Sequence, residues 1–237
     1  MHDQPANLYL IPTPLAEGSL DVFPDETIRV IHSLTHFITE KSKTSRRFIK
    51  ASGHPLAQSE LTVLEIPKHD RIDFKELLSP CLEGHPTGLM SEAGAPCIAD
   101  PGGEIVRKAH DWNIPVVPLT GPSAIFLALM ASGMNGQRFT FNGYLPAKKG
   151  DLAGALRHLE RISAKERSTQ LFIETPYRNT QLIQSAIHCL QANTMFGISA
   201  NIHSGNAYFK TKRIAEWNKT NIPDFHKIPI VYSLLSS

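Results

Sequence analysis

The chain has 237 residues, of which 41% are apolar and 19% are charged. This length suits one large domain or two smaller ones, and the apolar share is too high for a disordered protein. The 24 Lys and Arg residues against 22 Asp and Glu give a net charge of +2, which excludes a polybasic protein whose overall field captures nucleic acid. Any contact with RNA or DNA must therefore be local.

The pattern of the chain favours a reducing compartment. No Lys or Arg precedes the apolar run at 8–11, which is too short for the centre of a signal peptide. The three cysteines form no close pair, as is usual outside oxidising compartments. Residues 114–136 lack charge over about the length of a membrane span, but three prolines and a glycine at 115–122 interrupt them. We therefore predict a cytoplasmic protein with no membrane segment.

Short β-type runs alternate with helical patterns over the first half of the chain. The predicted strands are 7–11, 36–40, 61–66, 87–91 and 115–119. One predicted helix begins near residue 24, and the others cover 41–51, 71–83, 103–112 and 123–132. Such a βαβ series predicts a mostly parallel sheet with helices on both faces, which binds ligands at the carboxyl ends of its strands.

The second half has a different pattern, which predicts a smaller α/β domain with a mixed sheet. The predicted strands are 138–144, 170–174, 196–200, 207–210 and 228–234. Predicted helices cover about 151–164 and 178–191. The pattern leaves the strand order open. We expect two α/β domains, at 1–119 and 120–237.

Glycine and proline gather after three of the predicted strands. The segments are 12–14, 91–96 and 120–124. In a doubly wound sheet these loops would meet at one crevice, where small residues let main-chain groups reach a ligand. No GxGxxG follows the first strand and no GxxxxGK[ST] is present, which argues against a dinucleotide site and a P-loop.

Five segments together resemble the tetrapyrrole-methylase superfamily: LYLIPTP at 8–14, SEAGAPCIADPGG at 91–103, IPVVPLTGPSA at 114–124, RFTFNGYLP at 138–146 and QLFIETPYR at 170–178. Within it, the chain is most similar to the ribosomal small-subunit RNA methyltransferases that methylate the 2′-hydroxyl of a cytidine ribose. The resemblance implies a two-domain tetrapyrrole-methylase-like fold with S-adenosylmethionine (SAM) in the cleft between the domains. It also implies no metal, a homodimer, and ribosomal RNA or the small ribosomal subunit as partner.

The resemblance further implies a set of cofactor-binding residues: Pro12, Thr13, Pro14, Ser91, Glu92, Ala93, Gly94, Ala95, Gly121, Pro122, Ser123, Ala124, Glu174, Thr175, Ala200 and Pro229. SAM carries a sulfonium cation, a ribose diol and a zwitterionic amino acid. A carboxylate combined with main-chain donors and acceptors is the chemistry that it requires. We assign the carboxylate to Glu92.

The chain departs from the family pattern at several positions. Glu92 replaces the usual Asp, and Ala95 replaces the usual Thr. Residues 15–17 read Leu-Ala-Glu instead of Ile-Gly-Asn, and residues 200–204 lack three charged groups of a usual Arg-Glu-Leu-Thr-Lys. These differences leave two alternatives open: a methylase of a tetrapyrrole or corrinoid precursor, and a non-catalytic paralogue that binds SAM or RNA.

A ribose hydroxyl is weakly acidic, so methyl transfer to it requires a base. Glu40 and His203 are the candidates. Five of the ten residues at 41–50 are basic. We assign phosphate contacts of the substrate to Lys41, Lys43, Arg46 and Arg47, with a solvated helix face as the alternative.

Overall fold

The computed structural model describes residues 4–67 and 70–236. The chain forms two compact units, and the division falls between Ser123 and Ala124. The two domains expected at 1–119 and 120–237 stay a prediction.

The first unit alternates strands and helices along the chain. Its elements are β1 (Leu8–Ile11), α1 (Asp25–Ser33), β2 (His36–Thr39), α2 (Ser42–Ala51), β3 (Thr62–Glu65), α3 (Phe74–Leu82), β4 (Thr87–Met90), α4 (Gly102–Asp111) and β5 (Val116–Pro118). The five strands form a parallel sheet in the order β3-β2-β4-β1-β5. Both faces of a parallel sheet are buried, which accounts for the short apolar runs in these strands.

Successive strand residues point to opposite faces, so the sheet separates two cores. Phe37 and Met90 lie in the core under α1 and α2. Ile38 and Leu89 lie in the core under α3 and α4. The chain therefore leaves the neighbouring strands β1 and β4 towards opposite faces, and a sheet of this kind opens a ligand crevice at such a point.

The second unit comprises the rest of the described chain. Its elements are α5 (Ala124–Ser132), β6 (Phe139–Tyr144), α6 (Lys149–Glu166), β7 (Thr169–Ile173), a 3-10 turn (Pro176–Arg178), α7 (Asn179–Cys189), β8 (Met195–Ala200), β9 (Tyr208–Arg213), α8 (Ile214–Trp217) and β10 (Ile230–Leu235). The sheet order is β6-β7-β10-β8-β9. Only β6 and β7 pair in parallel, and the other neighbours are antiparallel.

Helices cover both faces of this mixed sheet. Phe172, Phe196 and Tyr232 stack in a core with apolar residues of α6 and α7. The other face packs against α5, which contacts β8, β9 and β10. The two units confirm the predicted fold class, a parallel α/β sheet followed by a mixed one. No helix in the described parts of the chain has the length and apolar character that crossing a membrane requires.

Candidate active site

Three loops follow neighbouring strands at the carboxyl edge of the first sheet. Residues 12–14 follow β1, residues 91–96 follow β4 and residues 120–123 follow β5. Because β1 lies between β4 and β5, the loops lie side by side. The structure thus gathers all of the predicted cofactor residues of this unit: Pro12, Thr13, Pro14, Ser91, Glu92, Ala93, Gly94, Ala95, Gly121, Pro122 and Ser123. Ala124 opens α5 and belongs to the second unit.

A short main-chain bridge joins the loops after β1 and β4. The Thr13 N–H donates to the Gly94 carbonyl at 2.9 Å, and the Gly94 N–H donates to the Thr13 carbonyl at 3.0 Å. The buried Ser91 hydroxyl donates to the same Gly94 carbonyl at 2.9 Å. Gly94 has a φ of +80°, a left-handed conformation that strongly favours glycine. These main-chain hydrogen bonds therefore hold the loops after β1 and β4 together, at the point where the chain leaves the two strands towards opposite faces of the sheet.

The loop after β5 packs against the loop after β1 at Gly121. A Cβ atom on Gly121 would lie 2.6 Å from Pro12 Cβ and 2.8 Å from Pro12 Cγ, so a side chain would prevent this approach. The Thr27 hydroxyl in α1 donates to the Thr120 carbonyl at 2.8 Å. Thr27 was not among the predicted residues, because nothing in a helical pattern identifies a partner 93 positions away.

Glu40, Lys41 and Glu92 form a charged cluster beside these loops. Glu40 Oε2 accepts a hydrogen bond from the Glu92 N–H at 2.9 Å, and Lys41 Nζ lies 3.0 Å from Glu92 Oε1. The Lys41 and Glu92 side chains are each 45% exposed, so the ion pair contributes only about 0–1 kcal/mol to stability. A ligand cation can displace Lys41 at small cost, whereas the Glu40 carboxylate already holds the loop main chain.

The basic helix α2 begins next to this cluster. Arg47 Nη1 lies 2.9 Å from Glu17 Oε1, and Arg46 Nη1 donates to the Gln58 carbonyl at 2.8 Å. Lys43 is exposed. With the Lys41 ion pair, three of the four predicted phosphate contacts already have protein partners. An incoming phosphate would therefore compete with carboxylates for Lys41 and Arg47.

Four of the predicted cofactor residues of the second unit lie at one edge of its sheet. β10 runs antiparallel to β7 and β8, so the carboxyl ends of those strands flank the start of β10. Glu174 and Thr175 follow β7, Ala200 ends β8 and Pro229 precedes β10. The Asn201 N–H donates to the Pro229 carbonyl at 3.0 Å. The strand order, which sequence left open, is what brings these residues together.

Glu174 is a buried carboxylate with protein partners. Its side chain is 1% exposed and forms an ion pair with Arg178. The Thr175 N–H donates to Glu174 Oε1 at 2.6 Å, and Arg178 Nε donates to the Thr175 hydroxyl at 3.2 Å. Burial, with a further contribution from the Glu174 charge, raises the pKa of Tyr232 well above its usual value. The turn after β7 is therefore fixed by side-chain contacts.

Asn179 joins this turn to the loop that precedes β10. Its buried Nδ2 donates to the carbonyls of Phe225 and Ile228 at 2.9 and 2.7 Å. Its Oδ1 accepts a hydrogen bond from the Tyr232 hydroxyl at 2.9 Å. Sequence reasoning missed Asn179. A polar residue at the start of a predicted helix indicates a cap, and its loop partners lie far along the chain.

His203 lies in the turn between β8 and β9 and has a φ of +67°. Its Nδ1 is buried and has no hydrogen-bond partner in the parts of the chain that the structure describes. Buried polar atoms are rarely left unpaired, so such a nitrogen is a candidate for contact with a ligand. Glu40, the other predicted base, instead binds the Glu92 main chain.

The loops of the first unit fit a ligand with the chemistry of SAM. Gly94 and Gly121 let the main chain come close without side-chain obstruction, and Glu92 supplies a half-exposed carboxylate. Burial, and secondarily the Asp100 charge, raises the pKa of the nearby Cys97 thiol to about 11, so this thiol stays neutral. Within residues 4–67 and 70–236, no group of three or more His, Cys, Asp and Glu is arranged to hold a metal ion.

Comparison with known proteins gives relatives that share one name, although no protein-family model matches the chain. The chain is 30% identical over 186 residues to ribosomal RNA small subunit methyltransferase I of Vibrio cholerae, covering 77% of this chain and 60% of that protein. The protein of the same name from Pseudomonas aeruginosa is 33% identical over 173 residues, covering 72% and 57%. That from Buchnera aphidicola is 29% identical over 227 residues, covering 94% and 76%.

The aligned region spans about three fifths of the length of the first two relatives. It nevertheless covers 77% and 72% of this chain. The comparisons thus support the resemblance to the tetrapyrrole-methylase superfamily, because over most of its length the chain is similar to ribosomal RNA small subunit methyltransferase I of several bacteria.

Proposed function

We propose that the protein is an SAM-dependent methyltransferase that methylates the 2′-hydroxyl of a cytidine ribose in small-subunit ribosomal RNA. The observation that carries this proposal is the shared name of the relatives, which are methyltransferases of ribosomal RNA. These names favour RNA over a tetrapyrrole or corrinoid precursor, and an enzyme over a non-catalytic paralogue. The substrate is a proposal because the chain aligns with only part of each relative.

In this proposal SAM is held by the three loops of the first unit. The cofactor contacts of Ala124, Glu174, Thr175, Ala200 and Pro229, which lie in the second unit, stay a prediction. SAM supplies an electrophilic methyl carbon bonded to a sulfonium. Main-chain donors and acceptors around the Thr13–Gly94 bridge orient the ligand. Glu92 exchanges Lys41 for a positive group of the ligand, which the weak and solvent-exposed ion pair permits.

We assign the general base to His203 rather than to Glu40. His203 Nδ1 is buried without a partner in the described residues, so it is available to accept the proton of the ribose hydroxyl. Glu40 Oε2 already accepts the Glu92 N–H. Substitution of His203 by Gln should lower kcat. An unchanged kcat would contradict the assignment.

The basic residues of α2 are proposed to contact phosphates of the ribosomal RNA. Lys41, Lys43, Arg46 and Arg47 follow the edge that carries Glu40 and Glu92. Each phosphate contact adds about 0.7 to the slope of log affinity against log salt for a single strand. Lys43→Ala should therefore lower that slope by about this amount, and an unchanged slope would support a solvated helix face.

We further propose a homodimer in the cytoplasm. Helix α5 is apolar on all sides, and its Phe126 and Met130 are 58% and 77% exposed. The Phe126 ring contacts Phe139, which is itself 37% exposed. Met130→Glu should shift the protein to a monomer in sedimentation equilibrium, while a Glu in place of exposed Gln184 on α7 should not. The free cysteines agree with a reducing compartment.

The proposed function is tested by cofactor binding and by the modified nucleoside. Titration calorimetry should show SAM binding, and absence of binding at millimolar SAM would exclude an SAM enzyme. Mass spectrometry of ribosomal RNA nucleosides should show loss of 2′-O-methylcytidine when the gene is deleted, with recovery on complementation. An unchanged nucleoside profile would exclude the proposed substrate.

A further inference from the structure

Tyr177 is 70% exposed, which makes it the most exposed of the large aromatic side chains in the described chain. It lies in the 3-10 turn that directly follows Glu174 and Thr175. Single exposed apolar residues are common on protein surfaces, so the surroundings of this ring decide what it indicates. The proposed cofactor contacts account for Glu174 and Thr175, but they do not account for this ring.

Two residues of the loop before β10 lie around the Tyr177 ring. Lys227 Nζ lies over the ring, 5.8 Å from its centroid. The His226 ring centroid is 5.9 Å away, with the two ring planes at 72°. Both side chains are exposed. Asp224 is the acidic residue of this loop, and its Oδ1 accepts a hydrogen bond from the His226 main-chain N–H at 2.9 Å. Tyr177, His226 and Lys227 are called the tyrosine platform below.

The tyrosine platform is held rigidly from beneath. The Lys227 N–H donates to the Pro176 carbonyl at 3.0 Å, which joins the two segments directly. Buried Asn179 binds the Pro176 carbonyl at 3.2 Å as well as the carbonyls of Phe225 and Ile228. The backbone that carries the ring and Lys227 is therefore held in place, so less conformational entropy is lost when a ligand binds there.

We infer that the tyrosine platform binds one unpaired nucleotide of the RNA substrate, with the base stacked on Tyr177 and a phosphate at Lys227. The inference rests on the proposed function and adds a substrate contact to it. An exposed aromatic ring beside a lysine is the arrangement that proteins use for unstacked bases and their phosphates. A protein partner fits less well, because lysine is depleted at protein–protein interfaces. Over the described residues, Lys227 forms no ion pair.

The test uses the full-length protein and a fluorescent single-stranded oligoribonucleotide, followed by methyl transfer to small-subunit ribosomal RNA. Tyr177→Ala should weaken oligonucleotide binding and raise the KM for RNA on the order of tenfold, with the salt slope unchanged. Tyr177→Phe keeps the aromatic face and should stay within about twofold of wild type. Lys227→Ala should lower the salt slope by about 0.7.

Tyr177→Leu keeps apolar bulk but has no aromatic face, and it should weaken RNA binding as Tyr177→Ala does. Agreement between the two variants shows that the loss in Tyr177→Ala does not come from a folding defect. SAM binding by calorimetry should stay unchanged in all four variants. Equal RNA affinity of wild type, Tyr177→Ala and Tyr177→Leu would overturn this inference but would leave the proposed function standing. So would a changed oligomeric state with unchanged RNA affinity, which indicates a protein interface. If wild type binds neither SAM nor RNA, the proposed function and the inference both fail.

Discussion

The two sheet edges that carry the predicted cofactor residues, one in each unit, are built in opposite ways. In the first unit, main-chain hydrogen bonds between Thr13 and Gly94 and the contact of Gly121 with Pro12 hold the loops, while the charged groups lie half-exposed at the periphery. In the second unit, the turn and the loop are held by buried side chains, Glu174 and Asn179.

This difference determines which substitutions each edge tolerates. An edge held by main-chain hydrogen bonds should keep its shape when side chains such as those of Glu92 and Ala95 change. An edge built from buried polar side chains depends on each partner, because an unpaired buried group is costly. The predictions below test this contrast.

The largest effect is expected at Gly121, where the main chain packs against the Pro12 ring. A Cβ atom placed 2.6 Å from Pro12 Cβ forces the loops after β1 and β5 apart. Gly121→Ala should lower the free energy of unfolding by about 3 kcal/mol, the upper range for overpacking, and abolish SAM binding. Urea unfolding and calorimetry measure both. Gly103→Ala is the matched control, since a Cβ there meets no atom within 4 Å and should stabilise α4 by about 0.5–1 kcal/mol.

The two ion pairs give the second test of the contrast. Glu174→Ala leaves Arg178, which is 28% exposed, without its carboxylate, and should lower the free energy of unfolding by about 2 kcal/mol. Glu92→Ala breaks a pair in which both side chains are 45% exposed, and should cost less than about 0.5 kcal/mol. Glu92→Ala should instead weaken SAM binding. Equal stability losses in urea unfolding would contradict the contrast.

The first edge could be predicted from sequence because its physics is local. Strands 7–11, 87–91 and 115–119 were predicted from apolar runs, and a parallel sheet places all their carboxyl ends at one edge. The loops rich in glycine and proline then had to lie together. The structure confirms the α/β class and brings these loops side by side.

The second edge depends on tertiary contacts that no local pattern shows. β10 inserts between β7 and β8 although it comes last in the chain. Ala200, Glu174 and Pro229 are neighbours only because of this insertion. The hydrogen bonds of Asn179 reach residues 46 and 49 positions away, which no spacing rule identifies. The short helix α8 was likewise not predicted, because four residues show no periodicity.

Glu40 separates a positioning role from a catalytic one at the first edge. Its Oε2 accepts the Glu92 N–H, and the amide oxygen of Gln can accept the same hydrogen bond. Glu40→Ala should therefore raise the KM for SAM on the order of tenfold, about the value of one hydrogen bond to a charged group. Glu40→Gln should restore a KM near that of wild type with an unchanged pH–rate profile. Loss of kcat in Glu40→Gln would instead identify Glu40 as the base.

The smallest expected effect concerns the buried hydroxyl of Tyr232 in the second unit. Tyr232→Phe removes its hydrogen bond to Asn179 and should cost about 1 kcal/mol at pH 8. Burial raises the pKa of Tyr232 in the folded state, so the unfolded chain ionises first, near pH 10, and stability is lost as the pH rises above that value. Wild type should lose about 0.8 kcal/mol more than Tyr232→Phe between pH 8 and pH 10.5, so the two stabilities converge.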